Sequence, residues 1–252
     1  MIRSDVKEIK GEKMFVEFDY EPLIEDFHAD GEMKIESVLK ILENSGSRHS
    51  DLAGNNVLEG SSNGMAWILT DWYVEIDSRP RYGSKIKAKT WSQGATSIFG
   101  TSRDFELYCN GEICGRGTTR WVLYDVLSSR PKKVEPDLME KYGPESISVF
   151  GSVKLPKITV PESFEREIKL MPRRNDIDFN FHVHNLVYVD YAMEVLPEDV
   201  YRKHDFKKIR INYKSGVKEG EEIVVKYAPS EKGHTVCIFG TDGSLKTAIE
   251  ID

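Results

Sequence analysis

Between Arg173 and Glu194 the chain carries a carboxylate, an amide and an imidazole at alternate positions: Asp178, Asn180 and His182. Asp176 stands ahead of them, and His184 and Asn185 follow. Ile177, Phe179, Phe181 and Val183 fill the gaps. The stretch therefore reads as an extended segment whose period-two alternation puts the three polar side chains on one side. From Leu186 to Leu196 the residues are apolar on nearly every side except Asp190 and Glu194, the pattern of a buried helix whose two acids share a face. The polar trio thus converges on a helix start, where free backbone N–H groups carry partial positive charge and can hold an oxyanion. A carboxylate, an amide and an imidazole beside such donors suit attack on a carbonyl. The alternative is structural: Asp178 and Asn180 bend and cap the chain, while His182 packs on the helix.

Two similar sets of elements position this stretch. In the first half a strand is expected over 14–20, then a helix from about Met33 with its apolar stripe at Ile35, Val38, Leu39 and Leu42. A Gly-, Asn- and Ser-rich surface loop follows at 54–64, then strands at 67–77, 85–91, 98–108 and 116–125. Four of the ten prolines lie between Pro136 and Pro161, which marks 136–162 as a linker between domains at 1–135 and 163–252. The second half repeats the plan: a strand at 164–170, the polar approach, the helix, and strands at 208–213, 222–227, 235–240 and 244–251. Asp26, His28, Asp30 and Glu32 fall at a constant offset from Asp176, Asp178, Asn180 and His182. Two copies of a long helix wrapped by an antiparallel sheet make an α+β, tandem hot dog fold.

The formal charge of -7 argues against nucleic-acid binding. The N-terminal residues offer no apolar run of a signal peptide and no segment reads as a membrane span, so the expectation is a cytoplasmic protein. Cys109, Cys114 and Cys237 are odd in number and lack C-x-x-C spacing, so reduced structural thiols are expected. No cofactor or metal is called for; a His182–His184 pair with Asp178 would fall short of the usual ligand number.

The run D-I-D-F-N-F-H-V-H-N-L-V-Y-V-D-Y-A-M-E resembles the signature of the acyl-acyl carrier protein thioesterases, D-x-D-x-N-x-H-V-N-N-x-x-Y-x-x-W-x-x-E. Asp176, Asp178, Asn180, His182, Val183, Asn185, Tyr188 and Glu194 match it; His184 replaces an Asn and Tyr191 a Trp. Downstream, Val217 stands where relatives carry a cysteine, which excludes a Cys-His mechanism at that position, and Gly216 stands where they often carry a Glu. Glu219 and Glu221 would point away from that place in an unbroken strand, leaving Asp176 or Glu194 as substitutes.

The resemblance implies hydrolysis of fatty acyl-carrier-protein thioesters in fatty acid biosynthesis. Asp178 would activate water or attack the carbonyl, Asn180 orient or polarise, and His182 hold the carboxylate or shuttle a proton. Asn185 and Tyr188 would bind substrate. The first half, lacking the D-x-N-x-H set, would hold the acyl chain, with Val38, Leu42, Trp67 and Ile68 as lining that any core would equally need. Acyl carrier protein is acidic, so a basic surface should meet it, Arg173 and Arg174 being the cations nearest the site. Further cations cluster at Arg79–Lys89, at Arg130–Lys133, and at Lys203, Lys207, Lys208 and Arg210. Coenzyme A esters are the alternative substrate, a non-catalytic acyl-thioester-binding protein is the alternative of another class, and a homodimer fits the fold.

Overall fold

The structure is a computed structural model and describes residues 15–55, 64–151, 155, 157–231 and 233–252; Met14 of the expected first strand and most of the 54–64 loop lie outside them. Contacts sort the chain into two units. One is Met1–Leu69 with Val74–Lys154, and the other Thr70–Tyr73 with Leu155–Asp252.

In the first unit the elements are β1 (Val16–Tyr20), α1 (Ile35–Leu52), β2 (Met65–Ile76), β3 (Ile86–Ser97), β4 (Gly100–Cys109), β5 (Glu112–Asp125), the short β6 (Arg130–Pro131) and α2 (Pro136–Glu140). The sheet runs β1-β3-β4-β5-β2, with antiparallel registers such as Phe18↔Ala88, Thr90↔Phe105 and Phe105↔Gly117. The apolar stripe of α1 is buried throughout, from Ile35 through Val38 and Leu39 to Leu42. Close approach needs a small residue on the sheet. A Cβ added at Gly117 would lie 3.2 Å from Leu42 Cδ1, so glycine there lets the helix settle onto β5. The stretch expected to be a linker opens with α2, whose Met139 is buried with Tyr142 against Ala53, Leu123 and Val134.

The second unit contains β7 (Arg166–Leu170), α3 (Val187–Val195), α4 (Glu198–Lys203), β8 (Lys208–Tyr213), β9 (Ile223–Ser230), β10 (Gly233–Gly240) and β11 (Leu245–Ile251). Its strands run β7-β9-β10-β11-β8, the same connectivity as the first unit. The chain is therefore an α+β tandem hot dog. One detail differs from the sequence reading: the second helix is not long. α3 has 9 residues against 18 in α1. It stops at Leu196, which is extended at ψ 149, because the following Pro197 disfavours a helical residue before it. Among the described residues, no helix is long and apolar enough to cross a membrane.

Candidate active site

The polar approach to α3 is not an extended strand. After a single 3-10 turn over Arg174–Asp176, Ile177 pairs with Val183 and the chain between them folds back as a tight hairpin. The Asp178 amide donates to the His182 carbonyl at 2.8 Å, and the Phe181 amide to the Asp178 carbonyl at 3.0 Å. Period-two alternation consequently fails here, and a turn gathers Asp178, Asn180 and His182 instead. The Asp178 carboxylate helps make that turn: Oδ1 accepts the Asn180 amide at 2.8 Å and the His182 amide at 3.4 Å, an Asx-type arrangement. Phe181 sits at φ 61, in the left-handed region where a bulky residue is strained.

The first unit repeats the backbone bonds of this scaffold and its aspartate anchor. Leu23 N–H to Asp26 Oδ2 at 2.7 Å matches Arg173 N–H to Asp176 Oδ2 at 2.8 Å. His28 N–H to Glu32 O, at 2.8 Å, matches Asp178 N–H to His182 O, and Lys34 N–H to Asp26 O, at 2.8 Å, matches His184 N–H to Asp176 O at 2.9 Å. The left-handed position is Gly31 there, at φ 82.

Asp176 anchors the hairpin. It is 2% exposed and receives Arg173 N–H, the Arg173 guanidinium at 2.8 Å, and the Tyr191 hydroxyl at 2.6 Å from α3. Burial acts to raise its carboxyl, but the Arg173 and Tyr191 hydrogen bonds outweigh that and hold it below the ordinary carboxylate range. Asp176 is thus a tether rather than a spare catalytic acid. The same geometry explains Tyr191: its hydroxyl supplies the donor that makes the tether. Arg173 is exposed yet committed to Asp176, whereas the exposed Arg174 makes no ion pair among the described residues.

His182 carries the most informative bond. Its Nδ1 lies 2.7 Å from the Asn180 carbonyl oxygen. A carbonyl only accepts, so Nδ1 bears the proton, and in the neutral ring Nε2 keeps its lone pair. Asn180 thus meets His182 through its backbone carbonyl. Among the described residues, neither His182 Nε2 nor Asp178 Oδ2 has a hydrogen-bond partner.

Other expected site residues have different places. Val183 N–H donates to Val217 O at 2.8 Å, and Val217 N–H donates to the Tyr188 hydroxyl at 2.9 Å, so the hairpin is fastened to the loop before β9. Tyr188 is buried, which raises its hydroxyl to about 12, and it holds backbone rather than lining an open surface. The Asn185 carbonyl accepts the Tyr213 hydroxyl at 2.8 Å. At the start of α3 three amides are taken: Val187 and Val189 donate to the His184 and Leu186 carbonyls, and Leu186 N–H faces His184 Nδ1 at 3.4 Å. His184 thereby supplies the acceptor at the helix start. Residues 214–222 form a loop and turn rather than a strand. Glu221 bonds Lys246 at 2.6 Å, which pulls its carboxyl down, and Glu219 and Glu194 are exposed.

Of the expected acyl-chain lining, Val38 and Leu42 are fully buried and Trp67 is half-buried against the Ala53–Leu123 cluster. Ile68 is 41% exposed, because successive residues of β2 face opposite sides and Leu69 takes the inner one. Ile68 is removed from the lining. The basic clusters are also thinner than the sequence suggests. Lys87 pairs with Glu17 at 2.9 Å, Arg81 with Glu32 at 3.1 Å, and Arg210 is buried against Asp71.

Comparisons with known proteins give the family. Residues 13–142 match the acyl-ACP thioesterase N-terminal domain, and residues 160–251 match the acyl-ACP thioesterase C-terminal domain. The chain is 28% identical over 198 residues to oleoyl-acyl carrier protein thioesterase 2 of Arabidopsis thaliana, covering 73% of this chain and 53% of that protein. It is 26% identical over 246 residues to the oleoyl-acyl carrier protein thioesterase of Coriandrum sativum, covering 86% and 63%. The chain thus spans less than two thirds of the length of these relatives. The fold superposes on the 12:0-ACP thioesterase of Umbellularia californica with a TM-score of 0.82 at 20% identity, covering 94% of this chain and 96% of that one. It superposes on an acyl-ACP thioesterase of Bacteroides thetaiotaomicron with a TM-score of 0.83 at 16% identity and the same coverage.

Proposed function

The chain belongs to the acyl-ACP thioesterase family, both of whose domains it matches in tandem, and from that premise we propose that it hydrolyses fatty acyl-carrier-protein thioesters to free fatty acids in fatty acid biosynthesis. Water oxygen bonds to the acyl carbon, the carbon–sulfur bond breaks, and the departing thiolate takes up a proton. The observation that carries this reading is the seating of His182. With Nδ1 on the Asn180 carbonyl, Nε2 is the nitrogen that moves protons, next in the hairpin to a carboxylate whose Oδ1 is fixed and whose Oδ2 is open. Asp178 supplies the negative charge that directs water or attacks the carbonyl, and His182 carries the proton to sulfur. Val38, Leu42 and Trp67 line the acyl chain in the first unit, and Arg174 faces the acidic carrier protein.

The test is thiol release from carrier-protein and coenzyme A esters of the same acyl chain. Turnover with a higher kcat/KM for the carrier-protein ester is expected. A preference for the coenzyme A ester would reassign the substrate, and tight binding of both without thiol release would overturn hydrolysis itself.

A further inference from the structure

The catalytic hairpin shows an aromatic surface that its scaffold does not need. Phe179 is 48% exposed and Phe181 74%, on either side of Asn180 in the chain. At the constant offset the first unit carries Ala29 and Gly31 in their places, on a hairpin with the same backbone bonds. Gly31 takes its left-handed conformation, φ 82, without strain, whereas Phe181 holds φ 61 against it. A bulky apolar side chain kept both strained and in water, next in sequence to His182, is the mark of a functional surface.

Cations flank the same hairpin. His182 and Lys218 are antiparallel partners, so their side chains emerge on one face, as do those of Glu32 and Arg81 in the first unit. Arg81 is neutralised there by Glu32 at 3.1 Å and also holds the Asp30 carbonyl at 2.6 Å. In the second unit a histidine replaces that glutamate, and the cation is left over. Arg174, Lys214 and Lys218 are all exposed, and among the described residues none of their side chains makes an ion pair or a hydrogen bond. Apolar anchors inside a rim of unpaired cations suit a partner that is acidic and has apolar surface of its own. We propose that the catalytic hairpin is itself a docking surface for the acidic carrier protein, with Phe179 and Phe181 as its apolar anchors and Arg174, Lys214 and Lys218 as its charged rim. The thioester has to reach Asp178 and His182, so the protein that delivers it must settle over the residues around them.

The identity of the partner rests on the hydrolase reading of the site, and one arm of the test therefore needs no turnover. Titration calorimetry with unacylated, phosphopantetheine-bearing carrier protein compares the wild type with Phe181→Asn and Lys218→Ser. Asn accepts the left-handed conformation, so the turn survives the first change. Phe181→Asn should weaken carrier binding about tenfold, and Lys218→Ser about threefold with a shallower dependence on salt. The second arm is thiol release. Phe181→Asn should lower kcat/KM for the carrier-protein ester at least about threefold more than for the N-acetylcysteamine thioester of the same acyl chain. Unchanged carrier affinity in Phe181→Asn would overturn the proposal. So would an equal loss on both esters, which would confine the phenylalanine to the catalytic turn, or a wild type that binds anionic vesicles and not the carrier. If the wild type binds the carrier through Phe181 but releases no thiol, hydrolysis falls and the docking surface stands.

Discussion

Replacing Asp178 by Asn separates the two things this side chain can do. The amide oxygen of Asn can still accept the Asn180 and His182 N–H groups that Oδ1 accepts now, at 2.8 and 3.4 Å. The turn should therefore survive, with stability within about 0.5 kcal/mol of wild type. Asp178→Ala removes both bonds, one well formed and one long, at a half-buried site, which should cost about 1 kcal/mol. Activity should behave differently. Both variants lose the negative charge and the free oxygen, so kcat should fall about 100- to 10,000-fold in each, equivalent to about 3 to 5 kcal/mol of barrier. The assay pairs urea denaturation with initial rates of thiol release from an acyl-carrier-protein ester, measured on the same preparations. An Asn variant that unfolds normally and keeps kcat within about threefold of wild type would refute the catalytic assignment and leave Asp178 as a turn cap.

Three further outcomes follow from particular contacts. His49 is fully buried, and burial, reinforced by the Arg103 guanidinium 2.6 Å away, lowers its imidazole from 6.5 to about 3. The unfolded chain takes up this proton below about pH 6.5 and the folded chain does not. This contribution to stability is therefore complete above that pH and is lost as pH falls toward 3, by about 2 kcal/mol at about pH 5. Urea midpoints of His49→Gln should lack this part of the acid-side slope; an identical slope in both proteins would exclude His49 as its source. At Phe181, which is 74% exposed at φ 61, Asn should raise the urea midpoint and Val should lower it, a spread of about 1–2 kcal/mol, whereas equal midpoints would argue against left-handed strain. Tyr191→Phe removes the 2.6 Å bond to buried Asp176 and should destabilise by about 1–3 kcal/mol, and a loss below about 0.3 kcal/mol would show that Arg173 alone suffices as partner.

The strands and helices were legible because burial imposes periods that residue types can satisfy. The i, i+3, i+4 and i+7 stripe of α1 points inward as read. The constant offset between Asp26 and Asp176 was also legible, and it proves to mark the same carboxylate-to-amide bond in each unit. The hairpin was not. Its signature would be a glycine at the left-handed position, which Gly31 provides in the first unit and Phe181 hides in the second. Trp67 and Ile68 could have been separated, since adjacent strand residues cannot share a face. The break at Pro197 was likewise in plain view. The role of Tyr191 was out of reach, because it depends on a partner brought close by the fold rather than by spacing.

Comparing the two copies isolates what the chemistry needs. The bonds common to both copies are made by backbone groups and by Asp26 or Asp176, while the side-chain bonds at the tip differ: Asp178 Oδ1 accepts the Asn180 and His182 amides, and Asp30 Oδ1 accepts the Glu32 amide at 2.9 Å. The carbonyl at the tip is claimed differently in each copy. Asp30 O accepts the Arg81 guanidinium at 2.6 Å, with Glu32 bonded to the same arginine, whereas Asn180 O accepts the imidazole of His182 at 2.7 Å. An ion pair thus closes the first hairpin, and the second is closed by a ring that retains a basic nitrogen.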